Sequence, residues 1–270
     1  AKVDLSAGNA TLQINTDSLS LGGGNTLNVG TGTVSITPSD PAKQVFYQSG
    51  GGTNTNTSVY YDSNFAGLTA SSVTVGSANH TGDIALAAGG LSPGYNLIAQ
   101  NSGTGKITLD GAYGQANLNK NLTLTSGTGG ILLNNGAINL GSGIFTANGP
   151  VTLGAGVTLT ASGGISFTSS IDGNNTFLIE AGAGAVTLAG IGQNTAINSL
   201  DVNSTGQVSL GGNISTQGNS VKLDGASNVD LTAHLTIDTS AGNGQVLLNG
   251  GAVDGAFNLT VKAGTGSVSL

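Results

Sequence analysis

Apolar and polar residues alternate in short bursts along the whole chain, and the bursts repeat. The recurring unit is Gly, any residue, Ile or Val, any residue, then Leu or Phe. It appears as Gly82-Asp83-Ile84-Ala85-Leu86 and Gly105-Lys106-Ile107-Thr108-Leu109, and later as Gly184-Ala185-Val186-Thr187-Leu188 and Gly206-Gln207-Val208-Ser209-Leu210. The β-branched anchors fall at Ile84, Ile107, Ile131, Val151, Ile165, Val186, Val208, Val229, Val246 and Val268, with gaps of 23, 24, 20, 14, 21, 22, 21, 17 and 22 residues. Between most anchors lies a second alternating burst, such as Leu122-Thr123-Leu124, Leu200-Asp201-Val202 or Leu259-Thr260-Val261. Period two is the signature of a strand buried on one face.

The bursts end in turn formers: Asp110-Gly111, Asn135-Gly136, Asp224-Gly225 and Asn249-Gly250. These residues tolerate the positive φ of tight corners. No helical apolar stripe is present, and Gly interrupts nearly every window of ten residues. Strands at this spacing could form a hairpin sandwich or a coil. The return of the same residue type at the same phase favours a coil, in which Val stacks on Val and Leu on Leu from turn to turn. The predicted fold is therefore all-β, a right-handed parallel β-helix of about a dozen coils, ~60 Å long at ~4.8 Å per strand. The gaps of 14 and 17 are too short for one turn and predict that the anchor series slips from one strand of a coil to another.

Residues 37–67 break the pattern. Pro38 and Pro41 end the burst Thr33-Val34-Ser35-Ile36, because proline cannot donate to a ladder. Gln44-Val45-Phe46-Tyr47-Gln48 and Ser58-Val59-Tyr60-Tyr61-Asp62 then flank a Gly/Asn/Thr-rich connector. Two aromatic strands around such a connector predict a hairpin projecting from the rod. The chain thus divides into N-terminal coils (1–36), an aromatic insertion (37–67) and a main shaft (68–270). Phe46, Tyr47, Tyr60, Tyr61 and Phe65 either cover a flank of the solenoid or form a contact patch for a glycan or a neighbouring subunit.

Composition narrows the function. Only 7% of the 270 residues are charged, and 37% are hydrophobic and evenly spread, which fits an ordered repeat protein better than a disordered one. All six basic residues are Lys (2, 43, 106, 120, 222 and 262) and the net charge is −7, which argues against a nucleic-acid partner. The absence of Cys excludes disulfides, thiolate metal sites and Cys nucleophiles. No apolar run approaches the ~20 residues of a membrane helix, so no membrane insertion is expected. No targeting segment is seen either, and the chain is expected to start downstream of one.

Many β-helices act on polysaccharides, so a lyase or hydrolase is the main rival reading. Such sites converge two or more carboxylates, usually with a basic group. The thirteen acids here are scattered, several of them (Asp110, Asp172, Asp224, Asp254) at turns, and Arg is lacking. No catalytic residue, cofactor or metal site is therefore expected. His80, read as loop, and His234, read as a solvated strand edge, lack metal-ligand spacing. Gly22-Gly23-Gly24-Asn25-Thr26-Leu27-Asn28-Val29 lacks the Asp of calcium-binding nonapeptides. Ice binding wants one Thr array in strict register, whereas the outer positions mix Ser, Asp, Leu and Lys.

With these copies of Gly-x-Ile/Val-x-Leu in Ala/Gly/Asn/Thr-rich, Cys-free sequence, the chain resembles the β-helical shafts of filamentous-haemagglutinin-type adhesins and related large bacterial surface exoproteins. The resemblance covers 68–270 and, less closely, 1–36; the Asn-Pro-Asn-Gly type signature of the family's secretion domain is absent. It implies export to the bacterial cell surface and a structural or adhesive role in a rod, filament or biofilm, and it carries over no site residue. Ala1-Lys2-Val3-Asp4-Leu5 and Gly266-Ser267-Val268-Ser269-Leu270 share the anchor phase without a capping element. The expected partners are flanking coils of the same long chain or further copies added end to end, and a glycan or host surface.

Overall fold

The computed structural model describes residues 2–19, 21, 25–48, 53–62, 67–86 and 91–270. It is a parallel β-solenoid of about 11 turns, 52% strand and 1% helix. Among the described residues the helical part is one short 3-10 segment, Ser6–Gly8. Every strand pairing described is parallel, coil upon coil, as in Ile84–Leu86 against Ile107–Asp110 or Val186–Leu188 against Gln207–Leu210.

Each turn contributes to three walls. The long wall is an eleven-stranded sheet running from Thr11–Asn15 to Gly250–Asp254. A second wall, which carries the aromatic insertion, begins with an eight-stranded sheet from Ser18–Leu19 to Ile171–Asp172. Single bridges through Ile171, Ile191 and Ile214 continue it into the strands Ile214–Ser215, Leu235–Asp238 and Leu259–Lys262. The third wall comprises a three-stranded sheet beginning at Lys2–Asp4 and an eight-stranded one ending at Val268–Ser269.

Inward residues stack in columns. Leu122, Phe145, Ile165, Val186, Val208 and Val229 follow one another along the long wall, each buried. Such columns remove apolar surface from water at ~25 cal/mol per Å². Where Phe145 and, in the neighbouring column, Phe167 lie with their rings 5.3 Å apart and Phe177 a further 5.6 Å on, Ala147, Ala161 and Ala181 face the same core. Large beside small keeps the interior close-packed.

The registers also explain the short anchor gaps. Ile84, Ile107, Ile131 and Val151 belong to the aromatic wall, Ile165 to Val229 to the long wall, and Val246 and Val268 to the third. The series changes wall between Val151 and Ile165, and again between Val229 and Val246, where the gaps are 14 and 17.

One expectation is corrected. Residues 44–62 do not form a projecting hairpin. Gln44–Gln48 pairs with Ser58–Asp62 in parallel register (Val45 with Val59, Tyr47 with Tyr61), and both strands are part of the aromatic wall. Their spatial order is Ser18–Leu19, Ser58–Asp62, Gln44–Gln48, Ile84–Leu86. The chain skips a level on leaving the long wall and then returns to fill it. Along the long wall, Thr33 accordingly pairs with Ser72, 39 residues on, whereas Val186 to Val208 is 22. The aromatic wall therefore gains one strand that the long wall lacks. The cause is the alternation itself: Val45, Tyr47, Val59 and Tyr61 are all fully buried, and a hairpin projecting into solvent would have exposed them.

Candidate functional site

The five aromatic residues singled out by the sequence divide by direction. Tyr47 and Tyr61 point inward and are fully buried, so neither is a surface contact. Tyr61 donates from Oη to the carbonyl of Thr16 at 2.7 Å, and Tyr47 shares a short hydroxyl–hydroxyl contact with Tyr95. Phe46 and Tyr60 point outward, half-buried, and their rings stack at 4.6 Å with an interplanar angle of 8°. Phe65 lies outside the described residues.

Four of the five tyrosines (Tyr47, Tyr61, Tyr95 and Tyr113) are buried together at this end of the core. An extra strand in one wall opens a wedge that Val and Leu would leave partly empty, and tyrosine rings supply the missing volume. The fit is imperfect in polarity, since the Tyr113 hydroxyl is buried without a hydrogen-bond partner. Burial raises its pKa strongly.

Outside the core, Asp17 fastens the skipped level. Its carboxylate accepts from Lys43 Nζ at 2.6 Å and from the Ser39 amide and hydroxyl at 2.9 and 2.7 Å. These bonds lower its pKa to about 2, with Lys43 the largest cause. The returning connector is tied down by Asn54, which accepts from the Tyr60 amide at 2.8 Å and donates to the Asp17 carbonyl.

A second constellation was not visible in the sequence. Parallel register on the third wall puts Glu180, Asn203 and Asp224 in one outward column, with Asp201 and Lys222 paired in the next. Asn203 Nδ2 donates to Glu180 at 2.9 Å, and Lys222 Nζ lies 4.0 Å from Asp201. Desolvation raises the Asp201 pKa; Lys222 opposes this, while Asp224 and Glu180 add to it. The signal was the 21- and 23-residue spacing of the three acids, meaningful only once the coil length is known. Among the described residues no group of three or more His, Asp or Glu side chains is arranged to hold a metal ion.

The histidines occupy opposite environments. His234 accepts from the Asn258 amide at Nδ1 (2.9 Å) and meets Phe257 edge-on at 5.3 Å. His80, although in a loop, is 1% exposed. Burial lowers its pKa, with Asp83 opposing in part.

Comparison with known protein families, with curated proteins and with solved structures finds no match for the chain.

Proposed function

We infer that the chain is a structural or adhesive segment of an extracellular bacterial rod, working by display and spacing of its surface. The observation that carries this reading is the use made of its carboxylates. Most of those with described bonds clamp one coil to the next, with partners 22 to 26 residues away: Asp17 to Ser39 and Lys43, Asp83 to the Lys106 amide, Asp110 to Asn134, Asp172 to Asn194 and Thr195, Glu180 to Asn203. Others, Asp4, Asp238 and Asp254, cap local turns. Carboxylates whose lone pairs are engaged in corners serve cohesion along a rod, and charge-assisted bonds are well suited to it.

The polysaccharide-active alternative draws on the third-wall row. Glu180 and Asp224 stand two strands apart, ~10 Å along the wall, close to the upper end of the ~6.5–9.5 Å that separates inverting glycosidase carboxylates. Against this, Asn203 occupies the position between them and donates to Glu180. The purified chain, incubated with neutral and acidic polysaccharides and assayed for new reducing ends and unsaturated products, should give no turnover. Turnover abolished by Glu180→Gln or by Asp224→Asn would replace the structural reading with the enzymatic one.

A further inference from the structure

The long wall differs from the other two in charge. Its first nine strands, from Thr11–Asn15 to Gln207–Leu210, contain no Asp, Glu or Lys; the first carboxylates come in the last two, at Asp230 and Asp254. The aromatic wall carries Asp110 and Asp172 within its strands, and the third wall Glu180, Asp201, Lys222 and Asp224.

The outward face of the long wall is also regular. Thr74, Ile98, Thr123, Thr146, Ser166 and Thr187 succeed one another, one strand apart, in a single register column. Beside this column Ile144 is 43% exposed, in the same strand as Thr146. Outer positions of the chain as a whole mix polar and charged residues; register gathers the uncharged ones here.

We propose that this face is where two copies of the chain pack against each other, long wall to long wall. A molecule of net charge −7 repels its own copies, and this is the wall on which two rods meet without opposing carboxylates over nine coils. The area suffices: the nine strands together hold 40 residues, which at ~3.4 Å per residue and ~4.8 Å per strand give a face of ~650 Å² per copy. Two such faces bury ~1,300 Å², above the ~1,000 Å² of a specific interface. A two-fold axis brings the column onto itself, with Ile98 and Ile144 as apolar contacts among hydroxyls and amides that bond directly or through water. The pairing rests on the rod described above and adds lateral association to its proposed role. Polysaccharide turnover tests that role and sedimentation tests the pairing, so either can fail alone.

The test is sedimentation equilibrium of the 270-residue chain over a concentration series at low and moderate salt. A reversible dimer is expected, tighter at moderate salt because screening relieves the repulsion. The double variant Thr123→Glu/Thr146→Glu should weaken it at least tenfold. Thr108→Glu/Thr152→Glu, outward in one column of the aromatic wall and two strands apart, should leave it unchanged, with circular dichroism confirming that both variants fold. A strict monomer at all concentrations overturns the proposal. So does equal weakening by both variants, or by neither, which would place association elsewhere, such as the ends. A wild-type monomer retained by neutral polysaccharide in affinity electrophoresis, and released by Thr123→Glu/Thr146→Glu, would reassign the face to glycan.

Discussion

The regular shaft and the aromatic insertion solve one packing problem in two ways. In the shaft each turn adds one strand to each wall, and Val, Ile, Leu and Phe stack on their counterparts a coil away. Around residues 44–62 the aromatic wall takes two strands where the long wall takes one, and the core is filled by tyrosines whose hydroxyls also need partners. A solenoid thus tolerates an extra strand when large side chains fill the wedge and an ion pair, Lys43–Asp17 at 2.6 Å, holds the skipped level.

The largest effect is expected in the shaft. Val208→Asp puts an unpaired carboxylate into a column position that is 1% exposed and should cost about 4 kcal/mol or more. Thr187→Asp, exposed on the neighbouring strand of the same wall, should change stability by under ~0.5 kcal/mol. Equal melting of the two variants would overturn the inward and outward assignment. In the insertion, Tyr61→Ala should cost ~3–5 kcal/mol, whereas Tyr61→Phe should cost only ~1 kcal/mol for the bond to Thr16. Denaturant unfolding resolves both; a cost below ~1 kcal/mol for Tyr61→Ala would mean that Tyr61 is not a wedge filler.

Tyr113→Phe removes a buried hydroxyl that has no partner and should be neutral or stabilising by up to ~1 kcal/mol. A loss of more than that would reveal a hydrogen bond at that hydroxyl. Acid should act on the insertion and its neighbouring turn before the shaft. His80 titrates near 6.5 when unfolded and lower when folded, so the unfolded chain binds more protons and stability declines as pH falls below 6.5. His80→Leu should flatten that slope. Asp17 has its folded pKa lowered from 3.8 to about 2, so its contribution is complete above 3.8 and is lost as pH falls through about 2. Exposure limits that contribution, and Asp17→Asn at neutral pH should cost about 1 kcal/mol or less. Thermal melts between pH 8 and 2 separate the two groups.

Much of the shaft was legible in the sequence because burial with period two is a local signal: Ile84, Ile107, Val186 and Val208 carry it unaided. The skipped level was not legible. Gln44–Gln48 and Ser58–Asp62 with a Gly/Asn/Thr-rich connector present the same local pattern whether the chain doubles back antiparallel or loops round to run parallel, and only distant partners, Ser18 with Tyr60 and Ile84 with Val45, distinguish the two. The same holds for the Glu180, Asn203 and Asp224 column, for the Asp201–Lys222 pair beside it and for the uncharged long wall, which exist only once register is fixed. The burial of His80 depends on the coils stacked around its loop, of which its neighbours Asn79 and Thr81 give no hint.

The non-sequential parallel pairing of the aromatic wall is the most distinctive claim, and the absence of Cys makes it directly testable by disulfide trapping. In parallel register Gln48 sits beside Asp62, so Gln48→Cys/Asp62→Cys should cross-link readily under mild oxidation of the folded chain. Gln44→Cys/Asp62→Cys, neighbours only in a hairpin, lie at opposite ends of the paired strands and should not. Efficient cross-linking of the second pair and failure of the first would restore the hairpin and contradict the extra strand.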